Sequence, residues 1–241
     1  MRGTGTIVNV LAVLLGGSLG LFLKRGLKER YQEILMQALG LCTIFIGVSG
    51  ALKGMFVIED GSLSTTGTML MIFSLVAGSL IGEWIDLESK MEAFGEWMKA
   101  RFGGKDDNQF VEGFVATSLT ICIGAMAIVG ALQDGMTGDA SMLYAKAILD
   151  GVIVVVFAST YGKGALFSAI PVGIWQGSIT LFAKALEPVL TQQIIGDLSF
   201  VGNMLIFCVG VNLAFGKRFR VGNMLPAMVF VVIYDAVVML I

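Results

Sequence analysis

The sequence has no histidine and few charged residues, and these absences argue against several kinds of protein. Only 14% of its 241 residues are charged, whereas soluble domains have about 25%. Without histidine the chain lacks the commonest metal ligand and the usual pH switch. It has no HExxH motif, no GxxxxGK motif ending in Ser or Thr, and no basic cluster interleaved with aromatic residues. We therefore expect no catalysis, no metal or other cofactor, and no nucleic-acid partner.

Cysteine is also scarce, which argues against a disulfide framework. Cys42, Cys122 and Cys208 all lie inside apolar runs, and none forms a CxxC pair. Such cysteines are typically small buried hydrophobic residues rather than metal ligands.

Apolar residues and glycine are abundant. Hydrophobic residues make up 56% of the chain, and the mean hydropathy is +0.86. The 32 glycines suit helices that pack closely in lipid, where small residues let backbones approach. The composition predicts an all-α, polytopic membrane protein embedded in a lipid bilayer.

The apolar runs predict eight membrane-spanning helices, because a span needs about 20 mostly apolar residues. The predicted spans are 6–23, 34–52, 67–83, 110–132, 142–160, 164–185, 198–215 and 222–240. Only Tyr161-Gly162-Lys163 separates the fifth span from the sixth, and Pro171 can bend the sixth. Six spans with a re-entrant hairpin are therefore the alternative.

Lysine and arginine predict the orientation of these spans. Most basic residues fall in loops on one side of the membrane: Lys24, Arg25, Lys28, Arg30, Lys90, Lys99, Arg101, Lys105, Lys163, Lys217, Arg218 and Arg220. The other side has Arg2, Lys53 and Lys184, with Lys146 just inside the fifth span. This asymmetry predicts a bacterial-type inner membrane protein with both termini outside.

The longest loop reads as an amphipathic helix over about 84–102. Its apolar residues recur at helical spacing: Leu87, Met91, Phe94, Met98 and Phe102. Charged residues cover the remaining face. The pattern predicts a helix that lies on the inner leaflet or continues the third span.

Some spans resemble one another. Thr43-Ile44-Phe45-Ile46-Gly47 is similar to Thr120-Ile121-Cys122-Ile123-Gly124, and each is followed by Gly-Ala-Leu. We interpret this as a duplicated helical hairpin, with fainter similarity extending to two four-helix halves. Repeats of this kind are frequent in transporters, whose sites lie near the membrane midplane. Chance similarity between apolar helices is the alternative.

Asp150 is the strongest candidate for a functional residue. It lies about halfway along the fifth span, where an ionisable side chain costs about 3 kcal/mol or more. It is interpreted either as an ion or proton ligand or as a carboxyl that fixes helix packing. Gln176 lies at a similar depth in the sixth span, and Ser168 precedes Pro171, which frees a backbone carbonyl one turn earlier. That carbonyl and the hydroxyl suit a cation, although a simple kink is the alternative.

Five further polar residues are secondary candidates for lining a pathway. They are Asn9, Gln133, Asn212, Asn223 and Asp235. Pro226 follows Asn223 closely and either places a break just inside the eighth span or occupies its first helical turn. Broken helices expose backbone groups that bind ions in transporters.

The chain also resembles a known family along essentially its whole length. The residues that carry the resemblance are Gly162-Lys163-Gly164-Ala165-Leu166-Phe167-Ser168-Ala169-Ile170-Pro171-Val172, Trp175-Gln176-Gly177, Val221-Gly222-Asn223-Met224-Leu225-Pro226-Ala227, Gly5-Thr6-Ile7-Val8-Asn9 and Gly16-Gly17-Ser18-Leu19-Gly20. They are similar to the YqgA/YdfK-like bacterial membrane proteins. The resemblance implies an integral inner-membrane protein of a family of unknown function that is loosely described as transporters, and it carries over no substrate or site residue.

The sequence thus favours a transporter of a small solute or cation, with a site near Asp150. The loops are too short for a soluble domain, so function must reside within the bundle. An ion channel and an accessory or structural membrane protein are the alternatives. The small size of the bundle favours a homodimer, for which Gly173–Gly177 or Gly50–Gly54 is a candidate contact unless these glycines serve internal packing.

Overall fold

The protein is described by a computed structural model that covers residues 2–24, 29–59, 61–102, 109–122, 125–186 and 191–238. Its elements in chain order are α1 (Thr4–Lys24), α2 (Glu29–Met55), β1 (Phe56–Glu59), β2 (Ser62–Thr65), α3 (Thr68–Ile85), α4 (Leu87–Phe102), α5 (Phe110–Cys122), α6 (Ala125–Thr137), α7 (Ser141–Tyr161), α8 (Lys163–Phe167), α9 (Ala169–Leu186), α10 (Gln192–Phe215), α11 (Val221–Met224) and α12 (Ala227–Val238).

The described chain is an all-α bundle of membrane-spanning helices. Six segments are long and apolar enough to cross a bilayer: Thr4–Leu23, Thr68–Ile85, Ser141–Tyr161, Lys163–Ala185, Gln192–Phe215 and Val221–Val238. A seventh consists of two helices, Phe110–Cys122 and Met126–Thr137, bent by 61°. The apolar part of α2, Gly40–Met55, is shorter. The predicted fold class is confirmed, whereas length and composition support six or seven spans rather than the predicted eight.

The predicted fourth span, 110–132, corresponds to two described helices that are bent by 61°. α5 ends at Cys122 and α6 begins at Ala125, with residues 123–124 outside the described part. Such a break leaves the last carbonyls of α5 without partners inside their own helix.

The fifth and sixth predicted spans both have the length of a full crossing. α7 ends at Tyr161, and α8 begins at Lys163. Gly162 permits this turn because its φ of 87° is readily adopted by glycine. Ser168 interrupts the sixth span, and Pro171 lies in the first turn of α9, where its missing N–H is tolerated. The lengths favour two crossings over a re-entrant pair.

The eighth predicted span is broken near Pro226, as its sequence indicated. α11 ends at Met224 and α12 begins at Ala227. The backbone nevertheless forms a single span, Val221–Val238, and hydrogen bonds from Leu225 to the Gly222 carbonyl and from Met228 to the Leu225 carbonyl connect its two helices. The predicted end of the span at 239–240 lies outside the described residues.

A short β-hairpin between α2 and α3 has no counterpart in the sequence-based prediction. β1 and β2 pair antiparallel, with Phe56 opposite Thr65 and Glu59 opposite Ser62. Gly61 in the turn has a φ of 77°.

The helices group into two compact units, and each draws on both halves of the chain. Unit 1 comprises residues 1–38 and 90–188, and unit 2 comprises residues 39–89 and 189–241. The units therefore do not coincide with two sequential four-helix halves, and internal repetition stays a prediction.

Unit 1 is built on the parallel packing of α1 against α7. A Cβ added at Gly16 would lie 2.4 Å from the Gly151 carbonyl oxygen, and one added at Gly20 would lie 2.3 Å from that of Val155. The two backbones are thus in direct contact, which only small residues allow. Beside this seam, the buried core of unit 1 contains Val13, Ile121, Val154, Ala169 and Val172.

Unit 2 is built on antiparallel pairs. Gly78 and Gly82 on α3 contact α12 and α11 at Ala227 and Asn223, respectively. On α2, Gly50 and Gly54 contact α10 at Asn203 and Phe200. Within each unit these directions agree with the alternating order of the predicted spans. Gly50 and Gly54 therefore serve packing inside unit 2, one of the two roles considered for them.

The predicted amphipathic helix is α4, and it is separate from α3. Asp86 ends α3 with a φ of 52°, so the helix does not continue through it. Met98 is fully buried against Phe110 and Phe114 of unit 1. Trp97 is 59% exposed, which leaves part of the apolar surface of α4 uncovered in the described chain.

Candidate functional site

The centre of unit 1 contains a buried polar network around Asp150. Its carboxylate oxygen Oδ2 lies 2.5 Å from Lys146 Nζ, one turn away on α7. The same oxygen accepts a hydrogen bond of 2.9 Å from Asn9 Nδ2 of α1. Lys146, Asp150 and Asn9 are all at most 6% exposed. A buried ion pair therefore lies in the middle of an otherwise apolar helix.

Lys146 also connects the network to the break between α5 and α6. Its ammonium donates a 2.8 Å hydrogen bond to the carbonyl oxygen of Ile121, near the end of α5. Carbonyls in the last turn of a helix have no partner within it and carry partial negative charge, which favours a cation. The last turn of α5 thus supplies a hydrogen-bond acceptor for the lysine.

Gln176 joins the network from α9. Asn9 Nδ2 donates to Gln176 Oε1 over 3.1 Å, so one amide hydrogen-bonds both Asp150 and Gln176. Asn9 Oδ1 and Gln176 Nε2 are buried and find no hydrogen-bond partner among the described residues. Buried polar atoms are nearly always paired, so this acceptor and this donor mark unused binding capacity.

A cavity of about 410 Å³ lies between α1, α6 and α9 of unit 1. Its lining includes Arg2, Thr6, Gly135, Gly177, Thr180 and Lys184. The hydroxyls of Thr6 and Thr180 lie 3.5 Å apart. Asn9 follows Thr6 by three residues and Gln176 precedes Thr180 by four, so each lies about one helical turn from its threonine.

Asp134 of α6 holds the beginning of α1 beside this cavity. Its two carboxylate oxygens accept hydrogen bonds from the backbone N–H groups of Gly3, at 3.0 Å, and Gly5, at 2.9 Å. A carboxylate at a helix N-terminus satisfies free N–H groups and the positive end of the helix dipole. Its role is therefore to fix the position of α1.

The other candidates in unit 1 have local contacts. Ser168 is buried and donates a 2.6 Å hydrogen bond to the Ala165 carbonyl, within the turn between α8 and α9. Gln133 is half-buried on α6, and its backbone carbonyl accepts from the Thr137 hydroxyl. Neither has a described hydrogen bond to the Asp150 network.

Asn223 and Asn212 lie in unit 2 and organise its chain turns. Asn223 Oδ1 accepts from the backbone N–H of Glu88 at 2.6 Å, and its Nδ2 donates to Glu83 at 2.7 Å. Asn212 accepts from the backbone N–H groups of Arg218 and Phe219, both at 2.8 Å. Both atoms of the Asn223 amide are thus used within unit 2, and Asn212 Oδ1 already has two donors there.

Asp235 is buried on α12 of unit 2, where its side chain contacts that of Asp197 on α10. Its Oδ2 has no hydrogen-bond partner among the described residues. The structure therefore groups Asp150, Gln176 and Asn9 in one network, whereas Asp235, Asn212 and Asn223 belong to the other unit.

Sequence reasoning missed Lys146 as the partner of Asp150. The spacing of four residues on one helix was a usable signal, since such residues are neighbours on the helix surface. The Ile121 carbonyl had no readable signal, because a backbone group looks the same at every position. No group of three or more acidic or cysteine side chains among the described residues is placed to hold a metal ion.

Gly16-Gly17-Ser18-Leu19-Gly20 has the spacing of the GxSxG motif, which in hydrolases forms a strand-to-helix turn. Here it lies inside α1. Ser18 donates to the Leu14 carbonyl at 2.7 Å, so it is not presented as a nucleophile at a turn.

Comparison with known proteins places this architecture in a family. The family model described as "Protein of unknown function (DUF554)" matches residues 4–236. The chain belongs to this family. "Uncharacterized membrane protein YdfK" of Bacillus subtilis (strain 168) is 32% identical over 224 residues, covering 93% of this chain and 92% of the relative. "Uncharacterized protein YqgA" of Escherichia coli (strain K12) is 31% identical over 228 residues, again covering 93% of this chain and 92% of the relative.

These relatives confirm the family resemblance carried by the glycine-rich motifs. The family membership and the apolar helices together identify the chain as a membrane protein. No solved structure matches the chain.

Proposed function

We propose that the protein carries a small solute or ion across the membrane through unit 1. The site is the network of Asp150, Lys146, Asn9 and Gln176. The observation that supports this proposal is the pair of buried amide atoms, Asn9 Oδ1 and Gln176 Nε2, that lack partners beside a buried ion pair.

The energetic argument starts from the charges. Each charged side chain near the bilayer centre costs about 3 kcal/mol or more, and an ion pair recovers this only where further hydrogen bonds complete it. Lys146 and Asp150 have those hydrogen bonds, from the Ile121 carbonyl and from Asn9. A purely structural network would also satisfy the two amide atoms, whereas a binding site leaves such atoms available for a ligand.

The broken helix supports the same function. Discontinuous helices place backbone groups at substrate and ion sites in transporters. The Ile121 carbonyl, in the last turn of α5, accepts a hydrogen bond from Lys146. Under this proposal the membrane is the bacterial inner membrane with both termini outside, in keeping with the distribution of lysine and arginine.

The test is a thermal-stability screen of the purified protein across small ions and metabolites, followed by flux measurements in proteoliposomes. A ligand held about 100-fold above its Kd adds about 2.7 kcal/mol to the folded state. We expect this gain in the wild type and its loss in Gln176→Met, which removes the free amide at nearly the same side-chain size.

Ser168→Ala is the matched control, because it removes a buried polar group of unit 1 outside the network. It should keep both the ligand-induced gain and the flux. If Gln176→Met responds to every ligand and carries flux as the wild type does, the network is not the site. A protein that binds no ligand of the panel and carries no flux would instead favour the accessory role.

A further inference from the structure

Basic residues are rare on the side predicted to lie outside, yet most of them converge on unit 1. That side has Arg2, Lys53, Lys184 and Lys146. Arg2 and Lys184 line the cavity between α1, α6 and α9, and Lys146 belongs to the buried network. Since lysine and arginine are generally depleted on this side of an inner membrane, their convergence calls for a local cause.

The cavity has the positive charges of Arg2 and Lys184 and no carboxylate among its described lining residues. Asp134, adjacent to lining residue Gly135, has both carboxylate oxygens bonded to backbone N–H groups of α1. Its charge therefore already serves a helix N-terminus. A cleft lined by charge of one sign concentrates ions of the opposite sign.

Hydrogen-bond donors continue from the cavity toward the network. The Thr6 and Thr180 hydroxyls lie at the cavity, and about one turn deeper Gln176 Nε2 is a buried donor without a partner among the described residues. Lys146 and Asp150 belong to the same network, which Asn9 connects to Gln176. Arg2 and Lys184 at the cavity, the two hydroxyls and the amide N–H are all groups that bind negative charge.

We propose that the cavity is the outer entrance for a small water-soluble anion, such as a short carboxylate or an inorganic anion. This inference rests on the proposed function, since it names the substrate class of the same pathway. A volume of about 410 Å³ is within the usual range of small-molecule sites. An anionic lipid headgroup has the same chemistry, so the experiment must distinguish it from a soluble anion.

The test measures the sign of the charge that the cavity attracts. Gly177→Cys is introduced into a background in which Cys42, Cys122 and Cys208 are replaced by serine or alanine. A Cβ at Gly177 meets no heavy atom within 4 Å, so this thiol fits the cavity without displacing other groups. Intact cells are treated with an anionic or a cationic methanethiosulfonate of similar size, and the two labelling rates are compared.

Thr65→Cys, on exposed β2 of the same predicted side, is the matched control for insertion and for the intrinsic rates of the two reagents. Relative to this control, the anionic reagent should react with the thiol at position 177 about tenfold or more faster than the cationic one. Adding Arg2→Gln and Lys184→Gln should remove that preference. Thr180→Cys, at a second lining position, should behave in the same way.

Equal rates, a cationic preference, or a preference that persists without both charges would overturn the proposal. Labelling of Thr65→Cys but of neither cavity position would show that water-soluble ions do not reach the cavity, which also overturns the proposal. The labelling ratio reports the cavity alone, whereas ligand stabilisation and flux in Gln176→Met report the deeper network. The two proposals can therefore fail separately.

Discussion

The buried pair of Lys146 and Asp150 yields a quantitative prediction about stability. Lys146→Met keeps an unbranched side chain of similar length but removes the ammonium that lies 2.5 Å from Asp150 Oδ2. It leaves a buried carboxyl with one described donor, Asn9 Nδ2. The Ile121 carbonyl also loses the hydrogen bond that it accepts from Lys146.

The expected loss is about 3 to 5 kcal/mol in the free energy of unfolding, the usual result of breaking a buried ion pair from one side. Coulomb attraction at this distance is about 6 to 7 kcal/mol for an effective dielectric constant of about 20. The net loss is smaller, because the wild type has already lost the solvation of both charges and Asn9 still donates to the carboxyl.

A double-mutant cycle separates the pair interaction from the other effects. Asp150→Asn, Lys146→Met and the double variant are unfolded by denaturing detergent in mixed micelles, and helix content is followed by circular dichroism. The double variant has neither charge, so its loss in the free energy of unfolding should be smaller than the sum of the two single losses, by about 2 kcal/mol or more. Additive losses within about 0.5 kcal/mol would refute an energetically coupled pair.

Four further predictions concern other contacts. Gly82→Ala should destabilise the protein by about 1 to 3 kcal/mol, because its Cβ would lie 1.8 Å from a carbonyl oxygen of α11. A Cβ at Gly177 meets no heavy atom within 4 Å, so Gly177→Ala should instead raise the free energy of unfolding by about 0.5 to 1 kcal/mol. The same unfolding assay measures both variants, and equal effects would contradict this packing. Asp134→Ala should lower the free energy of unfolding by about 1 to 3 kcal/mol, since it leaves the N–H groups of Gly3 and Gly5 without their acceptor. A decrease no larger than that caused by an Asp→Ala substitution at an exposed position would disprove the capping role. The pKa of the exposed Asp139 lies below its ordinary value of 3.8, because its carboxylate accepts hydrogen bonds from Ser141. The backbone N–H of Ser141 has the larger effect and its hydroxyl the smaller one. The stability from this contact is therefore present above pH 3.8 and lost as the pH falls through the lower folded-state pKa, and Asp139→Asn should flatten that part of the pH–stability curve.

The membrane class and most spans could be predicted because both depend on local properties of the chain. A run of about 20 apolar residues predicts a crossing whatever it packs against. α1, α3, α7 and α10 accordingly cover the predicted first, third, fifth and seventh spans, with ends that differ by a few residues. The break near Pro226 was also predictable, since proline lacks the N–H that a continuing helix needs.

Other features had no comparable local signal. No proline marks the break between α5 and α6, and the nearby sequence reads as a continuous apolar helix. The β1–β2 hairpin is only four residues on each strand, too short for a clear alternating pattern. The sequence predicts Asn9 only as a secondary candidate for lining the pathway, whereas in the structure it directly joins Asp150 to Gln176.

The sequence by itself determined an all-α membrane protein, its family resemblance, and Asp150 as a central ionisable residue. Hydropathy and charge are properties of each residue, so they can be read without knowing which helices meet. Only the tertiary structure decided that Asn9, Ile121 and Gln176 surround the Lys146–Asp150 pair, whereas Asn212, Asn223 and Asp235 lie in the other unit. Which side chains meet depends on which helix faces pack together. Contacts between glycines far apart in the sequence, such as Gly16 and Gly151, determine that packing, and no local sequence pattern predicts them.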